Sequence, residues 1–139
     1  MVSQTEFTLR PRTRGFHLIT DEVVRNLPPL PQTGLLYLFI KHTSAALSIN
    51  ENADPDVVTD LLLAYRKAFS DRPEFRHAEG NSSAHARASA VGSSAMIPVK
   101  NGRLVLGTWQ GVYFCEFDGP RRRTFLVTVM EAHDKGANV

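Results

Sequence analysis

The sequence predicts an α+β fold: a compact single domain over residues 1–139, mainly antiparallel β-sheet or sandwich with two to three helices. Three observations favour this class. Apolar runs of strand length alternate with turn residues, an Asn-Gly pair separates two of these runs, and one segment repeats apolar residues at helical spacing. A composition of 42% hydrophobic and 22% charged residues is that of an ordinary globular domain.

The first third of the chain is predicted to contain three strands. Two short apolar runs within residues 5–19 predict the first two. Thr20 is a predicted cap for a short helix, which the proline-rich residues 28–31 cannot continue. Residues 34–41 are continuously apolar and aromatic, which predicts a central strand buried on both faces. This strand delivers His42 at its end.

Two further helices are indicated in the middle of the chain. Asp54 is a good N-cap, Pro55 suits the first helical position, and apolar residues then recur at helical spacing: Val57, Val58, Leu61, Leu62, Tyr65, Ala68 and Phe69. Small residues predict a second, alanine-rich helix over 82–91, ended by Gly92.

The C-terminal half is predicted to be antiparallel sheet. Asn101-Gly102 between apolar runs predicts a hairpin. Residues 112–117 and 124–130 flank a turn at 118–120 and are predicted to form a second strand pair. Trp109, bracketed by glycines, is expected in the core. Cys115, in an apolar strand without an adjacent base, is expected to be a buried structural thiol.

Charge and cysteine content limit the classes of function. Sixteen Lys+Arg against 14 Asp+Glu give a net charge of only +2, which predicts neither nucleic-acid nor membrane partners. The N-terminus shows no signal-peptide pattern, and no apolar run reaches the ~18 residues of a membrane span. With one cysteine, these features predict a cytoplasmic protein. Arg121, Arg122 and Arg123 are contiguous, which suits local anion binding.

The first candidate site is the polar stretch from His42 to Pro55, between a strand and a helix. Here His42 is a candidate metal ligand or acid/base, Ser44 or Asn50 is a candidate orienting donor, and Glu51 or Asp54 is a candidate charged partner. The alternative is a capped turn, in which Asp54 only caps the helix and the asparagines satisfy backbone groups.

The second candidate site spans residues 77–87. Asn81 and His85 are four residues apart and share a face if the segment is helical, and His77 lies four residues further upstream. Histidines 42, 77 and 85 would suit zinc or a similar metal, because catalytic sites often keep three protein ligands and one open position. The alternative is a set of ordinary surface or hydrogen-bonded histidines, since no tight two-ligand motif is present.

The last candidate segment is residues 116–123. A turn explains Asp118, Gly119 and Pro120 without any function. Arg121 would bind a phosphate or carboxylate if it points into the histidine site; otherwise the three arginines are a solvated strand edge protected by charge.

These segments resemble the YjbQ-like proteins, often labelled secondary thiamine-phosphate synthases. The resemblance covers about residues 5–130 and is carried by these motifs: His42-Thr43-Ser44-Ala45, Asn50-Glu51-Asn52-Ala53-Asp54-Pro55, Asn81 through Ala84-His85, Gly92-Ser93-Ser94, Asn101-Gly102-Arg103-Leu104, Leu106-Gly107-Thr108-Trp109-Gln110-Gly111 and Glu116-Phe117-Asp118-Gly119-Pro120-Arg121. It implies a homotrimer of α+β subunits with His42, His85, Asn50, Asp54 and Glu116 in the site.

The resemblance also implies a reaction, in which a thiazole phosphate nitrogen displaces pyrophosphate from an aminopyrimidine diphosphate. Such a site holds two anionic groups and a divalent ion such as magnesium. Arg121, Arg87 and Lys41 are candidates for the phosphates. Glu51, Asp54 or Glu116 is a candidate to hold that ion. For a metal-dependent enzyme, the candidate ligands are His42, His77, His85 and Asp54. Two alternatives stay open: a metal-dependent hydrolase, for which zinc would activate water, and a trimeric small-molecule or anion-binding protein without catalysis.

Overall fold

Two antiparallel sheets and three helices make up the computed structural model, which describes residues 1–133. One sheet has five strands in the order β1-β8-β3-β5-β6, and the other has three in the order β2-β7-β4. The elements, in chain order, are β1 Val2–Leu9, β2 Gly15–Leu18, α1 Thr20–Arg25, β3 Thr33–Ile40, β4 Ala45–Glu51, α2 Pro55–Ala68, α3 Ser82–Val91, β5 Ser94–Lys100, β6 Arg103–Leu104, β7 Gln110–Glu116 and β8 Arg123–Glu131. The predicted α+β class is confirmed.

The main core lies between the inner faces of the two sheets. Leu38 and Val127 from the larger sheet pack with Leu47 and Phe114 from the smaller one. Phe114 meets Phe125 edge-on with ring centroids 5.9 Å apart. Burying these large apolar side chains is the dominant favourable term in folding, at about 1.5–3 kcal/mol each.

A second apolar cluster holds α2 and α3 against the outer face of the smaller sheet. Phe16 and Phe117 contact each other edge-on at 5.8 Å and meet Tyr65 from α2. Ala84 and Ala88 supply the contact from α3, where their small side chains let the helix approach β4 closely. Both helices are therefore fixed to the sheet next to the C-terminal end of β7.

Several sequence predictions are confirmed. Asp54 caps α2 by accepting a hydrogen bond from the Asp56 N–H at 2.9 Å, and α3 ends at Gly92. The hairpin around Asn101-Gly102 joins β5 and β6, and both turn residues have the positive φ that a tight hairpin requires. Cys115 is fully buried, and burial raises the pKa of its thiol.

Two predictions about the N-terminal half are wrong. Strand β3 is not buried on both faces: Leu35 is 38% exposed, while its neighbours Leu36 and Leu38 are fully buried. In the part of the chain that the structure describes, the helices pack against strands of the smaller sheet, so alternate residues of β3 face outward. Thr20 does not cap α1, because its hydroxyl accepts instead from the Val112 N–H at 2.9 Å.

Two predictions about the C-terminal half are also wrong. The strands β7 and β8 do not pair with each other, since β7 lies between β2 and β4 while β8 lies between β1 and β3. The turn that separates them carries the chain from one sheet to the other. Trp109 is 64% exposed rather than buried, because the turn closed by the Gln110 N–H and the Gly107 carbonyl at 3.0 Å projects the indole outward.

Among residues 1–133, no helix combines the length and the apolar character that a membrane span requires.

Candidate functional site

A cleft of about 720 Å³ lies where the C-terminal end of β3, the start of α3 and the turn after β7 meet. It combines cationic, histidine and small polar side chains. The residues that line it are Lys41, His42, Thr43, Ser44, His77, Glu79, Asn81, His85, Asp118, Arg121, Arg122 and Arg123. Clefts of this size accommodate small metabolites.

His42 is fixed by a backbone hydrogen bond from β8. The Thr124 N–H donates to its Nε2 at 2.8 Å, so in the neutral ring Nδ1 carries the proton. Burial lowers the pKa of His42, and the nearby Arg123 charge lowers it further. The neutral form of His42 is therefore favoured near neutral pH, with Nδ1 left as a hydrogen-bond donor for a ligand.

His85 is held through its other ring nitrogen, Nδ1. Its Nδ1 lies 2.9 Å from the Thr43 carbonyl and donates to it, which leaves Nε2 for a ligand. The ring of His77 packs against His85 with centroids 5.7 Å apart. Because His42 and His85 also line a common neighbouring pocket, the two rings border the same space.

Asp118 organises the cationic side of the cleft. Its Oδ2 accepts from the Asn81 amide at 2.8 Å and from Arg121 at 2.9 Å, while Arg14 lies 3.4 Å from Oδ1. Burial alone would raise the pKa of this carboxyl, but the Asn81 amide, Arg121 and Arg14 together outweigh burial and lower it. Asp118 is therefore ionised at neutral pH and orients the Arg121 guanidinium.

A buried ion pair forms the floor beneath Ser44. The Arg123 Nε donates to Glu116 Oε1 at 2.8 Å, and its terminal nitrogen donates to the other Glu116 oxygen and, at 3.1 Å, to the Ser44 hydroxyl. Glu116 also accepts from the Asp118 N–H at 3.0 Å. A side chain at Gly119 is excluded, because its Cβ would lie 2.5 Å from the Glu116 Cγ.

The structure brings most of the proposed residues of the sequence analysis to this cleft. His42, His77, His85, Ser44, Asn81 and Arg121 all line it. Glu116 lies just beneath it, fully buried, and touches the cleft only through Arg123 and the Asp118 backbone. Its contacts are those of a residue that positions the cleft walls.

Asn50 and Asp54 lie elsewhere. Residues 45–51 form strand β4, where the sequence predicts a polar junction instead. At about 3.3 Å per residue, this strand carries Asn50 roughly 20 Å along from Ser44. Asn50 caps the next backbone N–H, that of Glu51, at 2.8 Å, and Asp54 caps α2 beside a different pocket.

The metal set proposed from the sequence does not form a ligand shell in the described part of the chain. Asp54 is at the far end of β4, and within residues 1–133 no group of three or more His, Cys, Asp or Glu side chains is arranged to hold a metal ion. His42 Nε2 and His85 Nδ1 are engaged with backbone groups. The residues present do not fit a resident metal with three protein ligands.

Arg87 faces a second pocket next to the cleft, together with Arg14 and Arg66. Two residues that shape the cleft are not predicted from the sequence. A turn alone explains Asp118, and Arg123 belongs to a run of three arginines. The feature of the sequence that indicates Arg123 is its position at the start of a strand, seven residues after Glu116. A cation there can be buried only together with an acidic partner.

Together, these features define a small two-sheet α+β protein with a basic, histidine-bearing cleft. A family model described as UPF0047 protein YjbQ-like matches residues 5–132. The chain belongs to this family, as the resemblance of its motifs predicted.

Individual relatives agree with this assignment. The UPF0047 protein YugU of Bacillus subtilis is 50% identical over 99 residues, which cover 70% of this chain and 75% of that protein. The UPF0047 protein YjbQ of Salmonella typhimurium is 44% identical over 127 residues, covering 86% and 92%. A crystal structure of a YjbQ/UPF0047-family protein from Clostridium acetobutylicum superposes with a TM-score of 0.81 at 42% identity, covering 91% of this chain and 99% of that one.

Proposed function

We propose that this protein is an enzyme that joins an aminopyrimidine diphosphate to a thiazole phosphate, as in thiamine-phosphate synthesis. The observation that carries the proposal is the convergence of Lys41, Arg121 and Arg122 with His42 and His85 in one cleft. Cations around a cleft of this kind stabilise the negative charge that develops on a departing diphosphate. The family resemblance supplies the identity of the two reactants.

The proposed step exchanges one bond for another. The lone pair of the thiazole ring nitrogen forms a C–N bond to the methylene carbon of the pyrimidine, and the C–O bond to the diphosphate breaks. The electron pair of that bond leaves with pyrophosphate, while the thiazole ring becomes a cation. The attacking nitrogen carries no proton that has to be removed. The site therefore needs charge stabilisation and orientation of the reactants more than a strong base.

The cleft residues divide these tasks. Lys41, Arg121 and Arg122 bind the diphosphate oxygens, with Arg121 oriented by Asp118. His85 presents Nε2 to the leaving group, since its Nδ1 donates to the Thr43 carbonyl. His42 donates from Nδ1 and orients a polar group of the substrate. Magnesium enters as the counterion of the diphosphate substrate.

Assay of the purified protein tests the proposal. Both precursors are supplied with magnesium, and thiamine phosphate and pyrophosphate are measured by chromatography. We expect equal amounts of the two products, and we expect expression of the gene to restore growth of a cell that lacks thiamine-phosphate synthase. If neither product formation nor growth is observed, the synthase proposal is wrong, and saturable pyrophosphate binding alone would identify a binding protein.

We also propose that the protein acts as a homotrimer in the cytoplasm. The family resemblance implies the trimer, and exposed apolar side chains on the outer face of the larger sheet, such as Leu35, Met96 and Met130, are available for subunit contacts. A single free cysteine is consistent with a reducing compartment. Light scattering combined with size exclusion gives the subunit number, and a monomeric mass would contradict the trimer.

A further inference from the structure

A second basic pocket of about 390 Å³ lies behind the cleft. Its cations come from three separate segments: Arg14 from the loop before β2, Arg66 from the last turn of α2, and Arg87 from α3. Two serines, Ser70 and Ser83, lie among them. The packing of α2 and α3 against the smaller sheet therefore brings together three guanidinium groups that are distant in sequence.

The guanidinium of Arg87 is oriented but keeps free donors. Its Nε donates to the Phe69 carbonyl at 3.2 Å, which fixes the plane of the group. Within residues 1–133, neither Arg87 nor Arg66 has a carboxylate oxygen within 4.0 Å. Their terminal N–H groups are thus available to a ligand, in the fork geometry that binds phosphate oxygens.

The carboxylates of this pocket have other partners or are solvated. Asp118 is engaged by Arg121, by Asn81 and, at 3.4 Å from its Oδ1, by Arg14, and Asp71 accepts from the Ser83 hydroxyl at 2.7 Å. Glu79 is exposed to solvent. Within residues 1–133, Arg66 and Arg87 therefore retain donors whose charge is not directly paired, while Arg14 is paired with Asp118.

Repulsion among the three arginines also favours binding of an anion in this pocket. Burial lowers the pKa of Arg87, nearby Asp71 opposes this, and the positive charges of Arg66 and Arg14 lower the pKa further. Like charges held this close are stabilised by an anion placed between them.

We propose that Arg14, Arg66 and Arg87 form a second binding site, specific for a phosphate group and separate from the histidine cleft. Asn81 and Asp118, which line both spaces and are hydrogen-bonded to each other at 2.8 Å, form the partition between the two sites. The volume of the pocket exceeds what a phosphate ion fills, so it also accommodates a small organic group attached to the phosphate. This site does not depend on the reaction proposed above.

Each site contains a residue whose NMR signal reports on it separately. The Arg87 Nε–H lies in the second pocket and the His85 ring lies in the cleft. The protein is titrated with inorganic phosphate and, in parallel, with methyl phosphate, at constant ionic strength maintained with chloride. We expect the Arg87 signal to shift saturably. Tighter binding of methyl phosphate would identify a phosphate monoester as the ligand class, and tighter binding of inorganic phosphate would identify the free ion.

Variants then assign the binding to the arginines. The double variant R66Q/R87Q is expected to weaken phosphate binding by about tenfold or more, because two charge-assisted contacts are lost. Its binding is measured from the backbone amide signals around the pocket. R25Q removes the same charge from the exposed end of α1 and is expected to change the affinity by less than about twofold. R66Q alone, at an exposed position, serves as the test variant if the double variant does not fold.

The outcomes separate this inference from the synthase proposal. A phosphate-induced shift of His85 without any shift of Arg87 would overturn the second site, as would equal weakening in R25Q and R66Q/R87Q. R121Q is expected to reduce the His85 response and leave the Arg87 response intact. Saturable binding at Arg87 in a protein without synthase activity would reject the proposed reaction and leave this site standing.

Discussion

Arg123 and Glu116 form a bidentate ion pair that connects the two sheets at the base of the cleft. Glu116 is the last residue of β7 and Arg123 the first of β8, and both are almost completely buried. The pair spans the turn that carries the chain from one sheet to the other, and Arg123 also holds the hydroxyl of Ser44. One charge pair thus fixes three segments of the cleft wall.

Removing one charge of this pair is expected to destabilise the fold strongly. Glu116→Gln leaves Arg123 as an uncompensated charge in the interior, which costs about 3–5 kcal/mol in the free energy of unfolding. Urea denaturation measures the change. The matched control is Glu6→Gln, the same substitution in the exposed pair with Lys41, where we expect a loss of less than about 1 kcal/mol. Equal losses in the two variants would show that the buried pair has no special role.

Replacement of His85 by asparagine distinguishes the roles of its two ring nitrogens. The Asn amide nitrogen replaces Nδ1 and still donates to the Thr43 carbonyl, while Nε2 is absent. If Nε2 assists departure of the diphosphate, synthase turnover falls by about a hundredfold or more with little change in stability. His133→Asn, at an exposed position outside the cleft, is the control. Full turnover in His85→Asn would remove His85 from the proposed mechanism.

Arg121 is expected to determine affinity for the anionic substrate. Its guanidinium lines the cleft and is half exposed, so Arg121→Gln loses a charge-assisted contact without leaving a buried cavity. The KM for the diphosphate should rise about tenfold, and the free energy of unfolding should change little. Arg10→Gln removes an exposed charge outside the cleft, and kinetics of the two variants are compared at equal ionic strength. A similar KM in both would contradict direct contact by Arg121.

Local signals predicted the helices and the hairpin well. The Asp54-Pro55 start of α2 and the Asn101-Gly102 turn follow from backbone preferences that do not depend on the rest of the molecule. The partners of β7 and β8 could not be predicted in this way. A turn between two apolar runs is compatible with a hairpin and with a crossing between sheets, and only the packing of the complete core decides between them.

The residues of the candidate site could likewise be predicted only in part from the local sequence. His42 is predicted from a polar stretch between a strand and a helix, and His85 from its spacing to Asn81; both line the cleft. Asn50 and Asp54 were grouped with His42 because they are near in sequence. Strand β4 separates them in space, and its short apolar stretch gave only a weak strand signal. Asp118 was not proposed, because a turn explains an aspartate as well as a site does.

His42 is expected to make stability depend on pH in a defined direction. Its pKa in the folded protein lies below the ordinary histidine value of 6.5, chiefly through burial and then through Arg123. Between these two values the unfolded chain binds more protons than the folded one, so the contribution of His42 is complete above about pH 6.5 and is lost as the pH falls toward the folded pKa. Stability should therefore decrease over that interval.

Comparison of the wild type with His42→Gln tests this dependence. The Gln side-chain oxygen can accept from the Thr124 N–H in place of Nε2, but the Gln side chain does not titrate. The unfolding free energy of the variant should therefore vary less than that of the wild type between about pH 8 and about pH 5. Asp118 does not interfere, because its pKa is lowered from 3.8 and its contribution is lost only at more acidic pH. Parallel pH profiles for the two proteins would show that burial of His42 is not coupled to folding.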